Sequence, residues 1–141
     1  MGVRTATILA AFALAGCGAP DPAPVVVEDP LVTLPAVPRR PGAAYFTLET
    51  SREGVRLVGV ASPKAGRIEI HESGMRPVGS VSIPPGEALA FAPGGRHLMV
   101  YDLEPSLRPG ARIPLIFTFE GAPAVTTDAE VRGPGDVHSV H

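Results

Sequence analysis

The chain has no tryptophan, only two tyrosines and five phenylalanines, and a single cysteine, Cys17. One cysteine excludes an internal disulfide and any metal site built on several thiolates, so a folded domain must hold together by its core alone. Charge is also scarce: charged residues make up 18% of the 141, and the formal net charge is −2. The basic cluster Arg39-Arg40-Pro41 is too small to read as a nucleic-acid footprint. The sequence offers no phosphate loop, no Ser-His-Asp arrangement and no carboxylate pair at a catalytic spacing, so it points away from an enzyme.

What is abundant is glycine and proline, 16 and 17 residues, nearly a quarter of the chain. That density excludes long helices. Beside 45% hydrophobic residues it predicts short strands joined by tight turns rather than disorder. The length allows one domain plus appendages.

The N-terminus reads as a targeting segment. Arg4 precedes the apolar run Ala6–Gly16, which is too short to span a bilayer as a stable helix. The run ends in Leu14-Ala15-Gly16-Cys17, which resembles a bacterial lipobox, where the cysteine thiol accepts a diacylglycerol and becomes the first residue of the mature protein. Two acyl chains anchor far more firmly than one. The expected organisation is a signal peptide at 1–16, lipidated Cys17 with a Pro-rich tether over 17–24, a β-sandwich over 25–132, and a flexible His-containing tail at 133–141. The expected location is the bacterial cell envelope, membrane-anchored and facing the periplasm or the outer side of the cytoplasmic membrane.

From Val25 onward the hydrophobic period is two. Strands are expected over 43–49, 55–60, 67–71, 78–83, 88–91, 97–103, 113–119 and 124–131. Breaks fall at Ser62-Pro63-Lys64-Ala65-Gly66, Pro84-Pro85-Gly86, Pro93-Gly94-Gly95 and Arg108-Pro109-Gly110. About seven to nine short strands with turns at this rhythm predict an all-β, antiparallel two-sheet sandwich. Tyr45 and Tyr101 are expected to pack with their hydroxyls at its edge.

Apart from Met1, the chain has two methionines, and each lies close to a histidine: His71-Glu72-Ser73-Gly74-Met75 and His97-Leu98-Met99. Residues i and i+2 of a strand share a face, so His97 and Met99 present an imidazole and a thioether side by side while Leu98 turns away. His71 ends its strand on the polar face, with Arg67 and Glu69, and Glu72-Ser73-Gly74 lets the chain bring Met75 back. Thioether sulfur favours copper(I), and imidazole suits copper in either oxidation state. Zinc is disfavoured, because its structural sites use Cys and His. His71, Met75, His97 and Met99 are therefore the candidate ligands of one copper(I). The bland alternative is that both methionines simply fill the core.

These segments resemble the PCuAC-type periplasmic copper chaperones. That family carries a His, a spacer, a Met, a fixed long interval and then His-x-Met; here Arg76 to Arg96 separate Met75 from His97-Leu98-Met99. The likeness extends to Ala43-Ala44-Tyr45-Phe46-Thr47-Leu48, Leu57-Val58-Gly59-Val60-Ala61-Ser62-Pro63, Met75-Arg76-Pro77-Val78 and Pro93-Gly94-Gly95-Arg96. It implies a cupredoxin-like fold and a carrier that delivers copper(I) to respiratory oxidase copper centres or their assembly factors, a copper-accepting protein of that pathway; a monomer is expected. The family's first spacer is usually longer than Glu72-Ser73-Gly74, which raises the question of how Met75 reaches the other three.

Two further readings follow from the residues. The tail histidines His138 and His141, with Asp136, read either as part of an ordinary solvated tail or as a secondary copper(II) site. Glu72 is read either as orienting the His71 ring or as an exposed carboxylate, and Arg96 is expected to face solvent or a partner. The rival to the copper reading is a metal-free envelope sandwich that binds a protein partner.

Overall fold

The computed structural model describes residue 2 and residues 24–136; the leader, Cys17, His138 and His141 lie outside the described residues. Ten strands follow one another with no helix among the described residues. They are β1 (Val25–Thr33), β2 (Gly42–Thr50), β3 (Arg56–Ala61), β4 (Arg67–Glu72), β5 (Arg76–Val78), β6 (Val81–Ser82), β7 (Leu89–Phe91), β8 (His97–Tyr101), β9 (Arg112–Glu120) and β10 (Val125–Arg132). The fold is an all-β sandwich.

Hydrogen bonding runs in one path, β5-β4-β8-β2-β1-β10-β9-β3-β6, with β7 added on β2. Every pairing is antiparallel except one short seam, where Leu31–Thr33 of β1 runs parallel to Glu130–Arg132 of β10. The two ends of the path are neighbours in sequence: β5 belongs to β4 and β6 to β3, with only Gly79 and Ser80 between them. The sandwich is thus a flattened, nearly closed barrel, which leaves little free edge for unwanted pairing.

Alternation explains the core. In β2 the buried residues are Gly42, Ala44, Phe46, Leu48 and Thr50, every second position. In β9 they are Ile113, Leu115, Phe117 and Phe119. The two inner faces meet where the Phe46 ring packs edge-on against Phe117, 4.9 Å between centres, and stacks on Phe91 at 4.3 Å. Each such fully buried apolar side chain contributes about 1.5–3 kcal/mol relative to exposure, and together they stabilise the domain without a disulfide.

The expected strands correspond to observed ones, with four differences, the first being β1, a strand not among those expected. The segment expected as one strand over 78–83 is divided between β5 and β6, because the backbone passes at Gly79-Ser80 from one end of the strand path to the other. The strand expected over 97–103 stops at Tyr101, where Asp102 takes φ 52° and ends the extended run. The β1–β10 seam is parallel, a pairing between the two ends of the domain that local patterning does not encode.

One irregularity positions the site. β7 and β8 lie end to end along the same edge of β2, as Phe46 pairs with Phe91 and Ala44 with Leu98. The residues between them leave the ladder as a small loop closed by the Ala92 N–H donating to the Arg96 carbonyl at 2.8 Å. Pro93-Gly94-Gly95 forms that excursion, and His97 re-enters the sheet immediately after it.

Candidate metal centre

β4 and β8 pair antiparallel in the register Arg67 with Tyr101, Glu69 with Met99 and His71 with His97. The intervening residues Ile68, Ile70, Leu98 and Val100 turn the other way, toward the core, and Leu98 and Val100 are fully buried. One face of this strand pair therefore carries three rungs of polar and soft side chains, as the alternation predicts.

The top rung brings the two histidines together. Their ring centres are 5.4 Å apart, with the planes tilted by 45°. With a metal–nitrogen bond of about 2 Å and about 1.2 Å from ring centre to nitrogen, two imidazoles sharing an ion at a tetrahedral angle have centres roughly 5 Å apart. The observed separation fits one shared ion.

Each ring offers one nitrogen. His97 Nδ1 lies 2.9 Å from the Gly95 carbonyl oxygen. A carbonyl only accepts, so that nitrogen carries the proton and Nε2 keeps a lone pair. His71 is only 4% exposed. Its Nε2 lies 2.9 Å from Glu69 Oε2, and its Nδ1 is buried with no hydrogen-bond partner. A buried polar atom without a partner is costly and uncommon in a native fold, and a nitrogen lone pair is what a soft cation would take up.

Met75 stands at the tip of the β4–β5 hairpin. Glu72 pairs with Arg76, so the turn is Ser73-Gly74-Met75. Gly74 and Met75 both adopt left-handed backbone, φ 89° and 65°. Glycine does this freely, whereas a methionine there is strained. The Met75 side chain is 58% exposed. Met75, Gly74, His97 and Met99 line one cavity of about 440 Å³, together with Gly42 and Tyr45. Burial raises the Tyr45 pKa above the ordinary tyrosine value. The short hairpin therefore does bring Met75 to the same cavity as His97 and Met99. His71 does not line this cavity; it is buried beside His97, its cross-strand partner.

The partner of His71 is Glu69, not Glu72. The Glu72 carboxylate instead accepts from Arg96 Nε at 3.1 Å, a bridge from the β4–β5 hairpin to the loop before β8. Glu72 is displaced because it lies one residue beyond His71 and so points to the opposite side of the strand, whereas Glu69, two residues before, shares the face. Arg96 thus has an intramolecular partner rather than free solvent. Glu69 is held by three donors. Besides His71, the Tyr101 hydroxyl donates to Oε2 at 3.2 Å and Arg67 Nε to Oε1 at 2.9 Å. The His71 hydrogen bond above all, with the Arg67 charge and the Tyr101 hydroxyl, holds the Glu69 carboxyl below the usual glutamate range. Sequence reading missed Glu69 and Tyr101 as parts of the centre, although Glu69-x-His71 and Met99-x-Tyr101 are i, i+2 pairs.

Among the described residues no three or more His, Cys, Asp and Glu side chains are grouped to hold a metal. A site here needs the two thioethers beside the imidazoles, a donor set that carries no charge and favours a soft monovalent ion over zinc or harder cations.

Comparison with known proteins gives a consistent picture. The LpqE-like lipoprotein family model matches residues 25–131, the whole sandwich. The protein RP573 of Rickettsia prowazekii (strain Madrid E) is 36% identical over 87 residues, covering 55% of this chain and 48% of that protein, so the match spans about half the relative's length. The copper-bound PCuAC domain from PmoF2 superposes with a TM-score of 0.72 at 26% identity, over 79% of this chain and 95% of that one. The copper(I) form of DR1885 from Deinococcus radiodurans superposes with a TM-score of 0.62 at 24% identity, over 84% and 83%, a likeness of fold. The resemblance to PCuAC domains noted from the sequence is therefore present in the three-dimensional structure.

Proposed function

The chain belongs to the LpqE-like lipoprotein family, and from that premise we propose that it is an envelope copper(I) carrier. Its cargo would be held by His71, Met75, His97 and Met99 and passed to a copper-accepting protein of the respiratory oxidase assembly pathway. Cys17, lipidated, would tether the domain to the membrane.

The observation that carries this reading is the convergence at one end of the sandwich. Met75, His97 and Met99 line one cavity, and His71, paired with His97 on the same rung, carries a buried, unpartnered nitrogen. The four side chains come from the β4–β5 hairpin and from β8, with Arg76 to Arg96 between Met75 and His97.

The arrangement suits transfer rather than storage. Its donors run from buried His71, through half-buried His97 and Met99, to exposed Met75. An acceptor's ligand can displace Met75 first, while the deeper donors still hold the ion, so copper passes by ligand exchange and is never released free. Thioethers and imidazoles bind copper(I) without a thiolate that would oxidise outside the cytoplasm. An electron-transfer copper site would normally include a cysteine ligand, and the described residues contain none.

X-ray absorption on the copper(I)-loaded protein tests the assignment. The reading expects two nitrogen and two sulfur scatterers, with the sulfur contribution halved in Met99→Leu. A spectrum of nitrogen and oxygen scatterers alone would rule out the thioethers as ligands.

A further inference from the structure

We propose that Glu69 is a positioning residue that fixes the His71 tautomer, so that the two histidines present different ring nitrogens to the cargo, Nδ1 from His71 and Nε2 from His97. This inference rests on the copper reading for its consequence but not for its first step, which concerns the metal-free protein.

The argument begins with donor and acceptor capacity. An ionised carboxylate accepts and cannot donate, so the 2.9 Å contact between Glu69 Oε2 and His71 Nε2 requires the proton on Nε2. In the neutral ring Nδ1 then carries only its lone pair. That atom is the sole buried side-chain nitrogen or oxygen without a partner among the described residues. A proton on it would place an N–H donor in a buried position with nothing to accept it, which costs more than leaving a lone pair free.

Glu69 is itself constrained. Tyr101 and Arg67 are direct partners in the β4–β8 register. Tyr101 donates to the oxygen that His71 uses, and Arg67 donates to the other. The Arg67 guanidinium also lies over the Tyr101 ring, 4.1 Å from its centre. Rotation of the Glu69 carboxylate away from His71 would break this set together. Across the rung, His97 is fixed in the opposite sense by the Gly95 carbonyl. The result is an asymmetric pair: a backbone group orients the outer imidazole and a braced carboxylate the inner one. Carboxylate–histidine pairs of this kind are a general device for aiming a metal-binding ring.

Removing Glu69 would free His71 to turn over or to exchange tautomers, and a fraction of the molecules would then offer N–H where the cargo needs a lone pair. Glutamine keeps an acceptor oxygen at that position but no charge; leucine keeps neither. The two substitutions therefore separate positioning from electrostatics.

The test is long-range proton–nitrogen NMR on the full chain labelled at histidine, at a pH where the imidazoles are neutral, with copper(I) affinity measured in parallel. In the metal-free protein His71 is expected as the Nε2–H tautomer and His97 as the Nδ1–H tautomer. Copper(I), which is diamagnetic, should then shift His71 Nδ1 and His97 Nε2. Glu69→Leu is expected to mix the His71 tautomers and lower copper(I) affinity about 10- to 100-fold, while Glu69→Gln retains the tautomer and most of the affinity. A proton found on His71 Nδ1 in the unsubstituted protein overturns the proposal without any variant having to fold. So does a Glu69→Leu protein with unchanged tautomer and affinity. If the unsubstituted protein shows the expected tautomers but binds no copper(I), the carrier reading fails while the positioning role of Glu69 stands.

Discussion

His71 and His97 face each other across β4 and β8 with their ring centres 5.4 Å apart, yet they are anchored through different nitrogens. His71 is held at Nε2 by Glu69, and His97 at Nδ1 by the Gly95 carbonyl. The free nitrogens are therefore nonequivalent before any ion arrives, and the strand register, not a flexible loop, sets their spacing. Binding sites built on paired strands are held more closely than sites on loops, which suits an ion that must be kept from harder competitors.

Met75 is the opposite case, a soft donor on a strained tip. Its left-handed backbone costs about 1–2 kcal/mol relative to glycine, and its side chain contributes little core packing at 58% exposure. Met75→Gly is expected to raise stability by about 1 kcal/mol in urea denaturation while weakening copper(I) binding. A loss of stability would show that the Met75 side chain is a packing element after all.

Leu98 separates scaffold from site. It lies between His97 and Met99 but points into the core and is fully buried. Leu98→Ala is expected to destabilise the domain by about 2–5 kcal/mol. A shift of the urea midpoint with unchanged slope is the signature to look for; a change under about 1 kcal/mol would contradict its placement in the core.

Glu69 links the centre to acid stability. Its carboxyl is held below the ordinary glutamate range, chiefly by the hydrogen bond to His71, so folding favours its ionised form. The contribution is present above the unfolded value of about 4.3 and is lost as pH falls through the lowered folded value. The side chain is about one-third exposed, so water screens the effect and it is small. Glu69→Gln, which does not titrate, is expected to lose less of its urea midpoint than the unsubstituted protein between about pH 6 and about pH 3. Identical slopes in that window would mean the folded and unfolded carboxyls do not differ.

Much of this was legible in the sequence, for identifiable reasons. Period-two alternation with Gly-Pro punctuation located the strands, because both signals are local. The His97-Leu98-Met99 geometry followed from the same periodicity, and the structure has Leu98 buried and its neighbours half-buried. The division of 78–83 between the two ends of the strand path and the parallel β1–β10 seam were not legible, since each depends on partners far along the chain. Of the two readings of Glu72, the one that has it orient His71 does not hold, for a related reason. Adjacency in sequence suggested contact, whereas in a strand the neighbour that shares the face is two residues away, at Glu69. Arg96 then found Glu72 across the hairpin, a contact only the fold creates.

The central claim, one copper(I) on two histidines and two methionines, is tested most directly by anaerobic competition titration. The intact protein, under reducing conditions, competes for copper(I) against a chromophoric chelator. The account predicts one equivalent bound tightly, affinity lowered in Met99→Leu and lowered further in the His97→Ala, Met99→Leu double variant, with stability of the Met99→Leu protein changed by less than about 1.5 kcal/mol. Failure to compete with even a weak chelator, or competition undiminished in the double variant, would contradict it.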